Sequence, residues 1–211
     1  MSPSKNNQNE NNSSNREMEK KKTSTEQLRV DEDTIIKVKE EISPKKAAKH
    51  LRSSFREYTD YRTVPNRRKT DITFRENLSD RLNNANDILK EIHAILIEKQ
   101  QMSTWAIAEK LIDEISSFSK EVKKGDYGFT TFFQNPKILE MDISQLHIID
   151  FDLLGAAFRL KERIEAFNKV VRRDYFEDIE LWFETIDRLV GWIIRLYDDR
   201  VKLIGAYERI S

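Results

Sequence analysis

Apolar residues recur at helical spacing along most of the chain from Asp71 onward, and this periodicity limits the fold more than any other feature. Leu78, Leu82, Ala85, Leu89, Ile92 and Leu96 are spaced 4-3-4-3-4. That pattern predicts a helix of about 27 residues with a heptad-like, coiled-coil seam. A second helix is opened by Ser103 and carries Ile107, Leu111, Ile115, Phe118 and Val122 on one face. Lys123, Lys124 and Gly125 close it: cations suit the negative end of the helix dipole, and glycine accepts a left-handed cap. Residues 126–143 form a linker containing Phe129, Phe132 and Phe133. Ser144 opens a third helix, with Leu146, Ile149, Leu153, Ala157, Leu160, Ile164, Phe167 and Val171 on one face. Asp174 to Glu177 resembles a capping box, so a fourth helix is expected from Tyr175 to about Tyr207. Its main stripe is Ile179, Phe183, Ile186, Val190, Ile193, Tyr197 and Ile204. The pattern predicts an all-α protein: an antiparallel four-helix bundle of long amphipathic helices.

Two of these helices carry more apolar surface than one stripe. Leu189, Trp192, Leu196, Leu203 and Tyr207 flank the main stripe of the fourth helix, and Phe151, Leu154 and Phe158 edge the third. Burial inside one subunit explains such an edge; so does pairing with another chain. Trp192, Leu196, Leu203, Phe151 and Phe158 are therefore the candidate interface residues.

Upstream, the chain changes character twice. Residues 1–30 read as a disordered tail: ten of the first fifteen are Asn or Ser, and only Met1 and Met18 are sizeable apolar residues before position 28. So little apolar surface cannot offset the entropy of ordering. Residues 31–70 read as a basic helical arm and linker, and 71–211 as the bundle domain. Ile35, Val38 and Ile42 suggest one short helix. Ser43 and Pro44 begin a better one over 43–62, since Ser43 can cap and the N–H that proline lacks would be unpaired at the first helical position anyway. Ala47, Ala48, Leu51, Phe55 and Tyr58 form its apolar stripe. Pro65 is expected to end this unit, leaving Asn66 to Lys69 as a basic linker.

Charge is segregated in the same way. Residues 37–70 hold 11 Lys/Arg against 4 Asp/Glu, residues 1–36 hold 6 against 7, and residues 71–211 hold 20 against 26. The net charges are +7, −1 and −6, which sum to the formal total of zero. The basic stretch has four readings: a solvated linker, a clamp on its own acidic bundle, a nucleic-acid contact, or a helix lying on an anionic membrane surface. As an anion or nucleic-acid contact it would use Lys45, Lys46, Lys49, Arg52, Arg56, Arg67, Arg68 and Lys69 on phosphates, with Phe55, Tyr58 and Tyr61 stacking on bases.

The sequence points away from catalysis. There is no cysteine, which excludes disulfides, thiolate metal sites and cysteine nucleophiles. No glycine precedes Gly125, so no Gly-rich phosphate loop exists. Of three histidines, His147 lies three residues from Asp150, a spacing that suits a surface hydrogen bond as well as a catalytic pair. Glu177, Glu180, Glu184 and Asp187 share a face that reads as solvated. No catalytic residue, metal ligand or cofactor is assigned. The N-terminus has no apolar signal-like core, and the run Leu189 to Tyr197 is too short to span a bilayer and contains Arg195. We expect a soluble, cytoplasmic, non-catalytic protein–protein interaction or scaffold module, binding a protein partner or itself through helix faces. The alternatives are a nucleic-acid-associated protein using residues 37–69 and a peripheral binder of anionic membranes.

Overall fold

Five α-helices and one short 3-10 turn make up 77% of the residues described, 42–207, in this computed structural model, with no strand among them. The tail over residues 1–30 and the short helix expected from residue 31 lie outside the described residues. The helices are α1 (Pro44–Ser54), α2 (Val64–Glu98), α3 (Trp105–Lys124), α4 (Glu140–Val171) and α5 (Ile179–Gly205). No helix among the described residues is long and apolar enough to cross a membrane.

The contacts between helices give their relative directions. Ser79 and Ser119 share a hydroxyl–hydroxyl hydrogen bond of 2.9 Å, and Asn86 Nδ2 donates to the Ile112 carbonyl at 3.1 Å. Numbers rise on α2 as they fall on α3, so this pair is antiparallel. Phe167 stacks on Trp182 at 5.5 Å and Arg200 Nε donates to Asp150 at 2.7 Å, which makes α4 and α5 antiparallel as well. Across the two hairpins, Lys110 faces Asp187 at 3.8 Å and Phe118 meets Tyr197 at 5.6 Å, so α3 and α5 run parallel. α2 also packs on α4, and α1 packs on α4. The loop from Gly125 to Leu139 crosses between the hairpins. It is tied to the end of α5, where Thr130 Oγ1 donates to the Ile204 carbonyl at 2.6 Å and the Thr131 amide donates to the Tyr207 carbonyl at 2.5 Å.

The seams named from the periodicity are buried. Leu78, Leu82, Ala85, Leu89, Ile92 and Leu96 are each 2% exposed or less. Gly125 sits at φ 61°, in the left-handed region expected of the α3 cap. Ile107 is the exception, an exposed residue, because Ala108 takes the buried position in the first turn of α3.

The helix boundaries differ from expectation for local reasons. The arm helix ends at Ser54 rather than residue 62, because Phe55 is extended (φ −132°, ψ 114°) and the chain turns inward. Pro65 starts a helix instead of ending one. It sits in the first turn of α2, where its missing N–H costs nothing, and Asn66 to Lys69 are helical rather than a linker. A boundary at residue 70 would therefore fall inside α2. α4 opens at Glu140, before Ser144. α5 opens at Ile179 with Asp178 at its N-cap, and Asp174 takes a left-handed conformation (φ 56°) ahead of it. Neither Ser43 nor Thr104 makes a side-chain cap bond, although each stands at the N-cap.

Candidate functional site

Three places gather the charged and aromatic side chains of the described residues. The first is an interior cluster centred on Arg200 of α5, which is fully buried. Its Nε donates to Asp150 Oδ1 at 2.7 Å, and its Nη2 donates to Asp71 Oδ1 at 2.8 Å and to the Tyr61 hydroxyl at 3.0 Å. Nη1 donates to the Tyr127 hydroxyl. The guanidinium also lies 4.6 Å from the centre of the Phe74 ring. Asp150 receives two further bonds at Oδ2, from Tyr58 at 3.0 Å and Tyr61 at 2.7 Å. Asp71 receives Tyr127 at 2.6 Å and Arg75 Nε at 2.9 Å. Arg75 reaches on to the Val122 and Lys123 carbonyls, which lack a helical N–H partner at the end of α3; the Tyr197 hydroxyl also donates to the Val122 carbonyl at 3.4 Å. Two carboxylates thus face two guanidiniums, and the cluster is neutral as a whole.

The electrostatics follow from that pairing. Burial pushes the Asp71 carboxyl up, but the Arg200 and Arg75 cations and the Tyr127 hydroxyl outweigh it and hold it below the usual carboxylate range. Burial lifts the Tyr58 and Tyr61 hydroxyls well above the ordinary phenol value, and the Asp150 charge lifts them further. They stay protonated and act as donors. The cluster joins α2, α4, α5, the connector after α1 and the loop after α3 at one point.

His147, one turn before Asp150, does not pair with it. It is buried between the rings of Tyr58 and Tyr61, at centroid distances of 6.3 and 5.6 Å, and neither ring nitrogen has a hydrogen bond. Its Nε2 lies 3.5 Å from Asp60 Oδ1, a carboxylate already held by Arg52 and Arg62. Burial lowers the His147 pKa, and this outweighs the opposing pull of Asp60 and Asp150. The sign follows: the unfolded chain binds a proton below about pH 6.5, where the folded chain still resists it. The stability that neutral His147 contributes is therefore present above that pH and lost as pH falls from 6.5 toward the lowered folded value. We expect the urea midpoint to drop more between pH 7.5 and 5.5 in the parent than in His147→Gln; superimposable pH profiles would contradict this.

The second place is the basic surface. Lys45, Lys46, Lys49 and Arg56 are exposed, and none has an ion pair among the described residues. Arg52 pairs with Asp60 at 3.1 Å and Lys69 with Glu57 at 3.5 Å. Arg68 is exposed, with its guanidinium 4.7 Å from the centre of the Phe133 ring. Arg67 does not belong to this surface. It is 1% exposed, and its Nε and Nη1 donate to the carbonyls of Tyr61 at 2.7 Å and Phe132 at 2.9 Å. Phe55, Tyr58 and Tyr61 are likewise buried, so the aromatic residues expected to stack on bases belong to the interior. The arm's apolar stripe is spent on its own chain: Ala47, Ala48 and Leu51 are buried where α1 lies on α4.

The third place is the outer edge of α4 and α5. Phe158 is 50% exposed. Phe151, Trp192, Leu196 and Leu203 are half-buried, while Leu154 and Leu189 of the same edges are buried. Phe151 is partly covered by the edge of the His50 ring at 5.2 Å, and the Arg159 guanidinium lies 5.2 Å from the centre of the Trp192 ring. On the acidic face of α5, Glu184 pairs with Arg188 at 2.5 Å and Asp187 with Lys110 at 3.8 Å.

Reading the sequence by apolar residues alone misses Asp71, Arg75, Asp150 and Arg200. A signal for them exists. The seam of α2 continues backward as Asp71, Arg75, Leu78 at spacings of 4 and 3, and that of α5 runs Ile193, Tyr197, Arg200, Ile204. In α4 the register Leu146, Asp150, Leu153, Ala157 is again 4-3-4. Charged residues of opposite sign occupy core positions near one end of three helices.

No protein-family model, curated protein or solved structure matches the chain.

Proposed function

We propose that the chain is a non-catalytic protein–protein interaction module, built as an antiparallel four-helix bundle, that associates through the outer edge of α4 and α5. The bundle reading is supported by two antiparallel hairpins, α2–α3 and α4–α5, laid side by side. The observation that carries the function is Phe158, a large aromatic side chain half exposed on α4, on an edge that also carries the half-buried rings of Phe151 and Trp192. Aromatic side chains grouped within a polar rim supply most of the contact energy at protein interfaces. The interior cluster supports a structural role for the titratable groups, because its donors and acceptors are spent on one another. A cysteine-free chain suits the reducing cytoplasm, where we place it.

A second copy of the chain is the first partner to test. Light scattering of the full-length protein is expected to give a mass above that of one chain, and Phe158→Glu or Trp192→Glu to lower it. A mass of one chain that neither substitution changes would rule out self-association through this edge.

A further inference from the structure

We infer that the outer face of α1 binds the phosphodiester backbone of a duplex nucleic acid without reading its bases. This does not rest on the α4–α5 edge, which involves other side chains.

Lys45, Lys49 and Arg52 are spaced 4 and 3 on α1, Lys46 flanks them, and Arg56 follows just past the end of the helix. Over the helical part the stripe is about 10 Å long at 1.5 Å per residue. α1 contains no Asp or Glu. Its opposite face, Ala47, Ala48 and Leu51, is buried on α4, so the cations stand outward on a helix docked to the rest of the fold. Lys45, Lys46, Lys49 and Arg56 make no ion pair among the described residues; Arg52 shares Asp60 with Arg62.

The same packing selects among anionic partners. An interfacial helix binds a membrane by burying its apolar face in the headgroup region. In α1 that face is already covered. Single-strand binders combine cations with aromatic platforms for the bases. Here Phe55, Tyr58 and Tyr61 are 6%, 2% and 0% exposed, so no platform is offered. Protein interfaces are depleted in lysine and anchored by aromatic residues. The exposed residues of α1 are Lys45, Lys46, Lys49, His50, Arg52, Ser53 and Ser54, none of them apolar. What remains is a polar surface whose charged residues are all cationic. The dense, regular charge of a duplex backbone complements such a surface without further contacts.

The test is fluorescence anisotropy with the full-length chain and a labelled DNA duplex of arbitrary sequence, about 20 base pairs long. Neutralising four phosphates predicts an affinity that falls about 150-fold between roughly 50 and 200 mM salt. Lys45→Gln/Lys46→Gln/Lys49→Gln leaves one of the four unpaired cations, and its affinity should fall only about 3- to 4-fold over the same range. Its helicity and urea midpoint should match the parent, since none of these three side chains belongs to the interior cluster. A second duplex of unrelated sequence should bind equally well. The inference is overturned if the duplex does not bind, or if the triple variant keeps the parental salt dependence. Tighter binding to a single strand than to the duplex, or capture by anionic vesicles in place of DNA, overturns it as well.

Discussion

Arg200→Leu is expected to destabilise the protein by roughly 3–5 kcal/mol, the range for removing one partner of a buried ion pair. The leucine is not the reason; it fills much of the space. The reason is what stays behind. Asp150 keeps its two tyrosine donors but loses the only cation bonded to it among the described residues, at a site with no exposure. Asp71 keeps Arg75 and Tyr127, so its loss is smaller. Arg200→Lys should fall between, because a single ammonium restores the charge but cannot reach Asp150, Asp71, Tyr61 and Tyr127 together. Arg188→Leu is the control. It removes an exposed pair with Glu184 on the same helix, and such pairs contribute little. Urea unfolding of the three variants decides the matter. Equal midpoints for Arg200→Leu and Arg188→Leu would show that the cluster adds nothing beyond ordinary surface pairing.

Gly125→Ala is expected to be the most damaging single-methyl change, at about 3–4 kcal/mol from two sources. The first is conformational: φ is 61°, and an L-residue held there is strained. The second is steric. A Cβ at this position would stand 2.3 Å from the Arg75 Cζ and 2.4 Å from its Nε. Arg75 would have to leave, giving up Asp71 and the two carbonyls at the end of α3. Gly128→Ala separates the two terms. Its φ is 63°, but nothing lies within 4 Å of the added methyl, so only the conformational cost applies. Thermal unfolding should place Gly125→Ala well below Gly128→Ala. Matching transitions would mean that Arg75 moves aside without loss.

The two predictions share a cause, because Arg75 and Arg200 both hold Asp71. A change at the α3 cap is therefore expected to be felt on α5, and the effects of Gly125→Ala and Arg200→Leu should not add.

The helical character of the chain and much of its core were legible in the sequence. A repeat of 4 and 3 leaves a helix no other way to bury Leu78 to Leu96, and the same holds for the faces of α4 and α5. Gly125 was legible as a cap because few other residues tolerate that backbone. The limits of α1 were not, since Phe55 and Tyr58 continue a helical stripe perfectly well. They leave the helix because the Tyr58 and Tyr61 hydroxyls find Asp150, some ninety residues away in sequence. Pro65 misled for a related reason. A proline is equally at home after one helix and in the first turn of the next, and Arg67 selects the second by reaching the carbonyls of Tyr61 and Phe132.

Local periodicity, caps and composition thus determined that this chain is helical, where its long helices run and which residues line their seams. These are properties of neighbours in sequence, set by backbone geometry and the burial of apolar stripes. Only the tertiary structure decided the fate of the charges. Arg67 and Lys69 differ little as symbols in a basic run, yet one is sealed inside and the other is in water. Asp71, Asp150 and Arg200 are tolerated in a core because each finds its opposite on another element, while Arg75 pairs with Asp71 one turn away on α2 and reaches the carbonyls that end α3. The pairing of Arg200 with Asp71 and Asp150 depends on distances between remote segments, which no local pattern contains.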